Sequence, residues 1–129
     1  ISQLSDRIVN TADLDPVIAR GLVTNYGIGA TEVADIARDD RSLARPLVRG
    51  HPFIGAEIVH AVRREMAITL EDVLLRRTPV FFLSRDEDGS TIERSAAIMA
   101  AECGWDRERT KDEVDRLKAR KNRHLECLR

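Results

Sequence analysis

Apolar residues along this chain recur at intervals of three and four, in short stretches separated by breaks rich in proline and glycine. Asp15 followed by Pro16 marks a helix start, because proline at the first helical position gives up an N–H that has no partner there. Val17, Ile18, Leu22 and Tyr26 follow at helical spacing, and Gly27 stands where a left-handed residue closes a helix. A second short helix is expected over 31–38, with Val33, Ile36 and Ala37 facing inward. Pro46, Gly50 and Pro52 interrupt the chain next, so 42–53 reads as turn or short helix. Over 54–66 the apolar set is Ile54, Ala56, Ile58, Val59, Ala61, Val62 and Met66, a stripe broad enough for a helix buried on more than one side.

Thr69 with Asp72 has the form of a capping box, aspartate replacing the usual glutamate, and opens a short helix through Val73 and Leu74. Arg76 and Arg77 close it, where cations meet the negative helix end, and Thr78-Pro79 stops it. Val80–Leu83 fits a short strand or a buried helical turn; with no partner strand visible, the turn is favoured. Asp86 to Gly89 reads as a turn. Ser90 and Glu93 form a capping box for a helix to Cys103, which Gly104 ends. Asp106 caps a last long helix with Thr110, Val114, Leu117 and Leu128 on one face. The first dozen residues are the least readable. The expectation is an all-α chain, a compact bundle of about six helices.

Length and composition agree with that reading. At 129 residues the chain is one domain's worth, and 43% hydrophobic with 33% charged excludes a disordered or fibrous protein. Aromatics at 4% and only 7 glycines are too few for a sandwich or barrel of many short strands. The net charge of -1 draws the whole chain neither to nucleic acid nor to an anionic membrane, so no nucleic-acid partner is expected. Of its basic residues 18 are Arg and 3 are Lys, which suits ordered, forked ion pairs. Cys103 and Cys127 lie too far apart for a CxxC site and are expected as free thiols in a reducing compartment, with a cytoplasmic location. No window approaches the length of an apolar membrane span, and no signal peptide precedes the first element. The start at Ile1, inside a polar segment, reads as a piece of something longer.

Candidate chemistry is sparse. Glu57-x-x-His60 on a helix is half of a carboxylate di-iron signature, but no second copy sits on a core helix, so a satisfied or surface histidine is the expectation. Asp86-x-Asp88-Gly89 begins like a calcium loop, yet its glycine comes too early and Ala97 stands where the closing glutamate belongs. His51 and His124 have no serine or cysteine placed by a nucleophile motif. There is no phosphate-cradling glycine pattern. The basic end around Lys118, Arg120, Lys121 and Arg123 is read as a solvated helix end, with contact to an acidic lipid surface or nucleic acid as the functional alternative. Glu57, Arg63, Arg64, Glu65, Asp72, Arg76 and Arg77 are interleaved with the strongest apolar stripe, and buried charges persist there only when paired. A structural ion-pair network of Glu57, Glu65, Asp72, Arg76 and Arg77 is expected, with no catalytic, cofactor-binding or metal-binding residue.

The same segment carries a resemblance. Tyr26-Gly27, Pro46-Leu47 and the run from Gly50 through Ile54 come first. Ala56 through Ala67, then Thr69 through Leu74, Arg76-Arg77-Thr78, Met99 and Gly104-Trp105 follow. In order and spacing this resembles the C-terminal helical domain of the FAD-dependent, quinone-linked glycerol-3-phosphate dehydrogenases and the related glycerol-phosphate oxidases. It covers 22–114, and 57–78 is its specific part. The acidic loop 85–89 and the tail after Val114 match no pattern of the family.

The resemblance implies a single helical C-terminal cap domain over 1–129, in a parent that oxidises glycerol 3-phosphate to dihydroxyacetone phosphate. Electrons would pass from FAD to quinone, or to oxygen in the oxidases. The FAD-binding and substrate-binding parts belong to the larger N-terminal portion, so no catalytic residue carries over and this chain alone is expected to hold no cofactor and to be inactive. Its expected partner is its own N-terminal FAD and substrate domain, with homo-oligomerisation and a membrane-peripheral parent left open. A standalone helical interaction or regulatory module is the competing reading.

Overall fold

The computed structural model describes residues 2–48, 50–78, 80–83 and 90–127, and these form two compact units, Ile1–His60 and Ala61–Arg129. The protein is all-α, with six α-helices of ten residues or more and one four-residue helical turn among the described residues.

The first unit begins with α1, Ser2–Ala12, an element the sequence pattern did not disclose. Its inward residues are Ser5, Ile8 and Ala12, with Leu4 and Val9 packed against the same core, a helical stripe with no proline or capping pair to mark its start. α2, Pro16–Tyr26, starts as expected: the Asp15 carboxylate accepts the Val17 N–H at 2.8 Å. It buries Ala19, Leu22 and Val23, whereas Val17, at the helix start, is 63% exposed. Gly27 ends α2 at φ 58 and ψ -126, a conformation open essentially to glycine alone. A 3-10 turn, Gly27–Gly29, leads into α3, Ala30–Asp39, which buries Val33, Ala34 and Ala37. A second 3-10 turn, Arg41–Ala44, follows. There the Arg41 guanidinium donates to the carbonyls of Ala12 and Asp13 and ties the end of α1 down. α1 packs on α2 and α3 around Ile8, Leu14, Leu22, Val23 and Val33. An isolated antiparallel bridge joins Pro46 to Ile54, and α4, Gly55–Arg64, begins directly after it.

In the second unit the expected short helix after Thr69 is a π-helical segment, Asp72–Arg77, closed where the Thr78 N–H and hydroxyl both donate to the Val73 carbonyl at 3.0 Å. α5, Val80–Leu83, is the helical turn favoured from sequence. α6 is Ser90–Cys103, beginning at the expected residue, and α7 is Arg107–Cys127, where the Asp106 carboxylate read as a cap accepts the Arg109 N–H at 2.7 Å. Gly104, at φ 73, ends α6 as a left-handed cap. α6 packs on α7 and buries Ile92, Ala96 and Met99, with Val114 and Leu117 buried on α7. The Asp86 to Gly89 turn and Leu128 lie outside the described residues.

Candidate functional site

Glu57 lies at the third position of α4, where a carboxylate can turn back on the helix start. Its Oε2 accepts the Ile54 N–H at 2.7 Å, one half of a capping box. Its Oε1 accepts the Tyr26 hydroxyl at 2.9 Å. The side chain is buried, so these donors replace water on its carboxyl oxygens. One turn on, His60 is buried with its ring edge-on to Tyr26, centroids 5.2 Å apart, and its Nδ1 has no hydrogen-bond partner. The Glu-x-x-His pair is thus engaged with an aromatic ring and a helix start. Among the described residues no group of three or more His, Cys, Asp or Glu is placed to hold a metal ion.

The other expected network residues belong to the second unit, and the structure brings them together in pairs. Asp72 meets Arg76 at 3.3 Å and Glu65 meets Arg77 at 3.6 Å. Arg63 binds both carboxylate oxygens of Glu102. Arg76 is 76% exposed and Arg77 44%, so these are surface pairs, each worth less than about 1 kcal/mol by charge alone.

Their larger contribution is to the backbone. The Asp72 carboxylate accepts the N–H groups of Ile68 at 2.9 Å and Thr69 at 3.0 Å, and the Thr69 hydroxyl accepts the Asp72 N–H at 3.1 Å. The Ile68 N–H above all holds the Asp72 carboxyl below the usual carboxylate range, against the opposing effect of burial. Thr69 and the Arg76 charge assist it. Arg77 donates to the Glu65 carbonyl at 2.9 Å. The Ala61 carbonyl accepts both Glu65 N–H and Ala67 N–H, and Met66, between them, sits at φ 58. For a residue with a Cβ that conformation costs on the order of 1 kcal/mol, which these bonds hold in place.

Glu113 on α7 was not visible as a partner from sequence. It is buried, accepting the Leu70 N–H at 2.8 Å and the Arg109 Nε at 3.3 Å. Arg109 in turn lies over the Trp105 ring, 4.7 Å from its centroid. In the basic end, Lys118 pairs with Glu93 at 2.8 Å and Arg120 with Glu71 at 3.5 Å, while Lys121 is buried. His124 lies 5.8 Å from the Phe81 ring. Both cysteines are free and exposed. Desolvation of the sulfur and the Glu102 charge push the Cys103 thiol up, against Arg109. No helix among the described residues is long and apolar enough to cross a membrane.

Comparison with known proteins identifies the family. A mitochondrial glycerol-3-phosphate dehydrogenase of Arabidopsis thaliana is 34% identical over 105 residues, 81% of this chain and 16% of its own length. A protein of Dictyostelium discoideum, named as a probable mitochondrial glycerol-3-phosphate dehydrogenase, is 36% identical over 111 residues, 86% of this chain and 17% of its own. The mitochondrial glycerol-3-phosphate dehydrogenase of Bos taurus is 30% identical over 113 residues, 84% of this chain and 15% of its own. The chain therefore spans about one sixth of the length of these relatives. No solved structure matches it with significance. The family model for the C-terminal domain of alpha-glycerophosphate oxidase matches residues 1–110, and the chain belongs to that family, whose curated members here are glycerol-3-phosphate dehydrogenases.

Proposed function

We propose that this chain is the C-terminal helical domain of an FAD-dependent enzyme that oxidises glycerol 3-phosphate to dihydroxyacetone phosphate and passes the electrons to a quinone. The family match over residues 1–110 carries the reading. The chain supplies structure: it caps the larger N-terminal portion that holds flavin and substrate, and it has no catalytic group of its own. As part of a quinone-reducing parent it works at a membrane surface, on the cytoplasmic side, without spanning the bilayer.

Four helix starts among the described residues do not fit the flavin dinucleotide. Its pyrophosphate needs free N–H groups at a helix start. Here Asp15 takes the Val17 N–H, Glu57 the Ile54 N–H, Asp72 the Ile68 and Thr69 N–H groups, and Asp106 the Arg109 N–H. Each of these helix starts already holds a carboxylate, which repels a second anion. This supports the reading that the flavin is held by the remainder of the enzyme, and no chemical step is assigned to residues of this chain.

A second reading has a specific basis: the family model is described from an oxidase, whereas the curated relatives are named dehydrogenases. The two differ in acceptor alone. The test is to reduce the whole enzyme's flavin with glycerol 3-phosphate and offer a soluble quinone or dissolved oxygen. Rapid reoxidation by quinone and slow reoxidation by oxygen supports the dehydrogenase. The reverse order assigns the oxidase, and failure of glycerol 3-phosphate to bleach the flavin removes the proposal.

A further inference from the structure

In the loop 65–69 four of the five backbone N–H groups are held by partners within the second unit. Glu65 N–H and Ala67 N–H share the Ala61 carbonyl, the Glu65 carbonyl is taken by Arg77, and the Ile68 and Thr69 N–H groups are taken by Asp72. The arginine and the aspartate both come from the π-helical segment, a winding rare enough to mark a site under functional demand. Yet the side chains presented by this pinned backbone are apolar and in water: Met66 is 83% exposed and Ile68 66%. Met66 also occupies a left-handed position, φ 58, that glycine would fill without strain. Fixing a backbone, accepting strain at its centre and leaving two large apolar side chains outside is arrangement for contact, since a preordered loop binds without a further ordering cost. Arg76, largely exposed beside them, adds hydrogen-bond donors at the rim.

We infer that loop 65–69 is a preformed docking element whose Met66 and Ile68 side chains seat in an apolar hollow on the N-terminal portion of the same polypeptide, with the Arg76 guanidinium meeting acceptors at its edge. The inference rests on the reading that this chain is one domain of a longer enzyme. The occupant follows from length: about five sixths of each relative lies outside the matched region, so on that reading the remainder of the polypeptide is the surface tethered beside the loop. Asp72, Arg76 and Arg77 are then positioning residues for the loop.

The chain provides its own probe, because it has two methionines of opposite exposure, Met66 at 83% and Met99 at 0%. Limited oxidation of the whole enzyme with dilute peroxide, read by peptide mass spectrometry, compares folded with urea-unfolded protein. Docking predicts that Met66 oxidises about tenfold more slowly in the folded enzyme, as Met99 does. Oxidation of Met66 at nearly the unfolded rate while Met99 stays protected overturns it. So does protection lost on dilution, which would assign a second copy, or gained only with anionic vesicles, which would assign a lipid surface. Glycerol 3-phosphate bleaching of the flavin in the same preparation separates the two levels. Bleaching with an open Met66 removes the docking alone; absence of flavin and bleaching removes the reading beneath it as well. The Met66→Gly enzyme gives an independent sign. Docking predicts faster proteolytic release of the C-terminal domain. Unchanged or slower release, the result of relieved backbone strain alone, contradicts it.

Discussion

Thr69 and Asp72 cap each other in both directions: the Asp72 carboxylate accepts the Thr69 N–H at 3.0 Å, and the Thr69 hydroxyl accepts the Asp72 N–H at 3.1 Å. The same carboxylate reaches Ile68 N–H, so one side chain secures both the start of the π-helical segment and the loop before it. Asp72→Ala removes three acceptor contacts at once and is expected to lower stability by about 1–2 kcal/mol, the range of strong helix caps. Urea unfolding at neutral pH checks this; an unchanged midpoint contradicts it.

The Asp72 carboxyl also sets a pH dependence. Its pKa is lower in the folded protein than in the unfolded chain. Its contribution is therefore complete above the unfolded carboxylate value and disappears as pH falls through the folded one. The stability difference between wild type and Asp72→Asn should then shrink in acid and stay constant from weakly acidic to neutral pH. A difference that grows in acid would reverse the assignment.

Glu113 is the buried counterpart on α7. Glu113→Ala leaves the Leu70 N–H without a partner in the interior and is expected to cost about 2–3 kcal/mol, whereas Glu113→Gln keeps an acceptor there and costs less. Equal losses in the two variants, compared by thermal unfolding, would place the effect elsewhere.

Tyr26 supplies the hydroxyl that meets buried Glu57. Tyr26→Phe keeps the ring against His60 and removes only that donor, so a loss of about 1–3 kcal/mol is expected, the cost of leaving a buried acceptor without its partner. A loss under about 0.5 kcal/mol would mean that the Glu57 carboxyl is satisfied without Tyr26.

Gly27 stands at φ 58 and ψ -126 with open space where a Cβ would go, so only the backbone conformation resists substitution. Gly27→Ala is expected to cost about 1–3 kcal/mol through strain, with no steric clash to relieve. Stability equal to wild type would show that the turn has adopted another conformation.

Elements whose signals are local were legible in the sequence. Asp15, Thr69 with Asp72, and Asp106 each bond the N–H groups that their positions imply, and Gly104 closes α6. α1 was not legible although Leu4, Ile8, Val9 and Ala12 share its inner side, because no proline start or capping pair marks it as Asp15-Pro16 marks α2. The count of six helices was still met, because the segment after Thr69 wound as a π-helix and α1 took its place among the α-helices. Side-chain partners far apart in sequence were not legible: Tyr26 meets Glu57 across 31 positions and Leu70 meets Glu113 across 43. The charged set around Asp72 was recognised by composition, but its exposure was not, since a helix period cannot show which face a π-turn presents. Nor does any sequence pattern mark Met66 as left-handed, because glycine is the residue expected there.

The central claim, a flavoenzyme's structural domain without flavin chemistry of its own, is tested most directly by the visible absorption spectrum of two polypeptides purified side by side: residues 1–129 alone and the whole enzyme. The account predicts a flavin spectrum that glycerol 3-phosphate bleaches in the whole enzyme, and no flavin absorbance in residues 1–129. Flavin copurifying with residues 1–129, or a whole enzyme whose flavin ignores glycerol 3-phosphate, would contradict it.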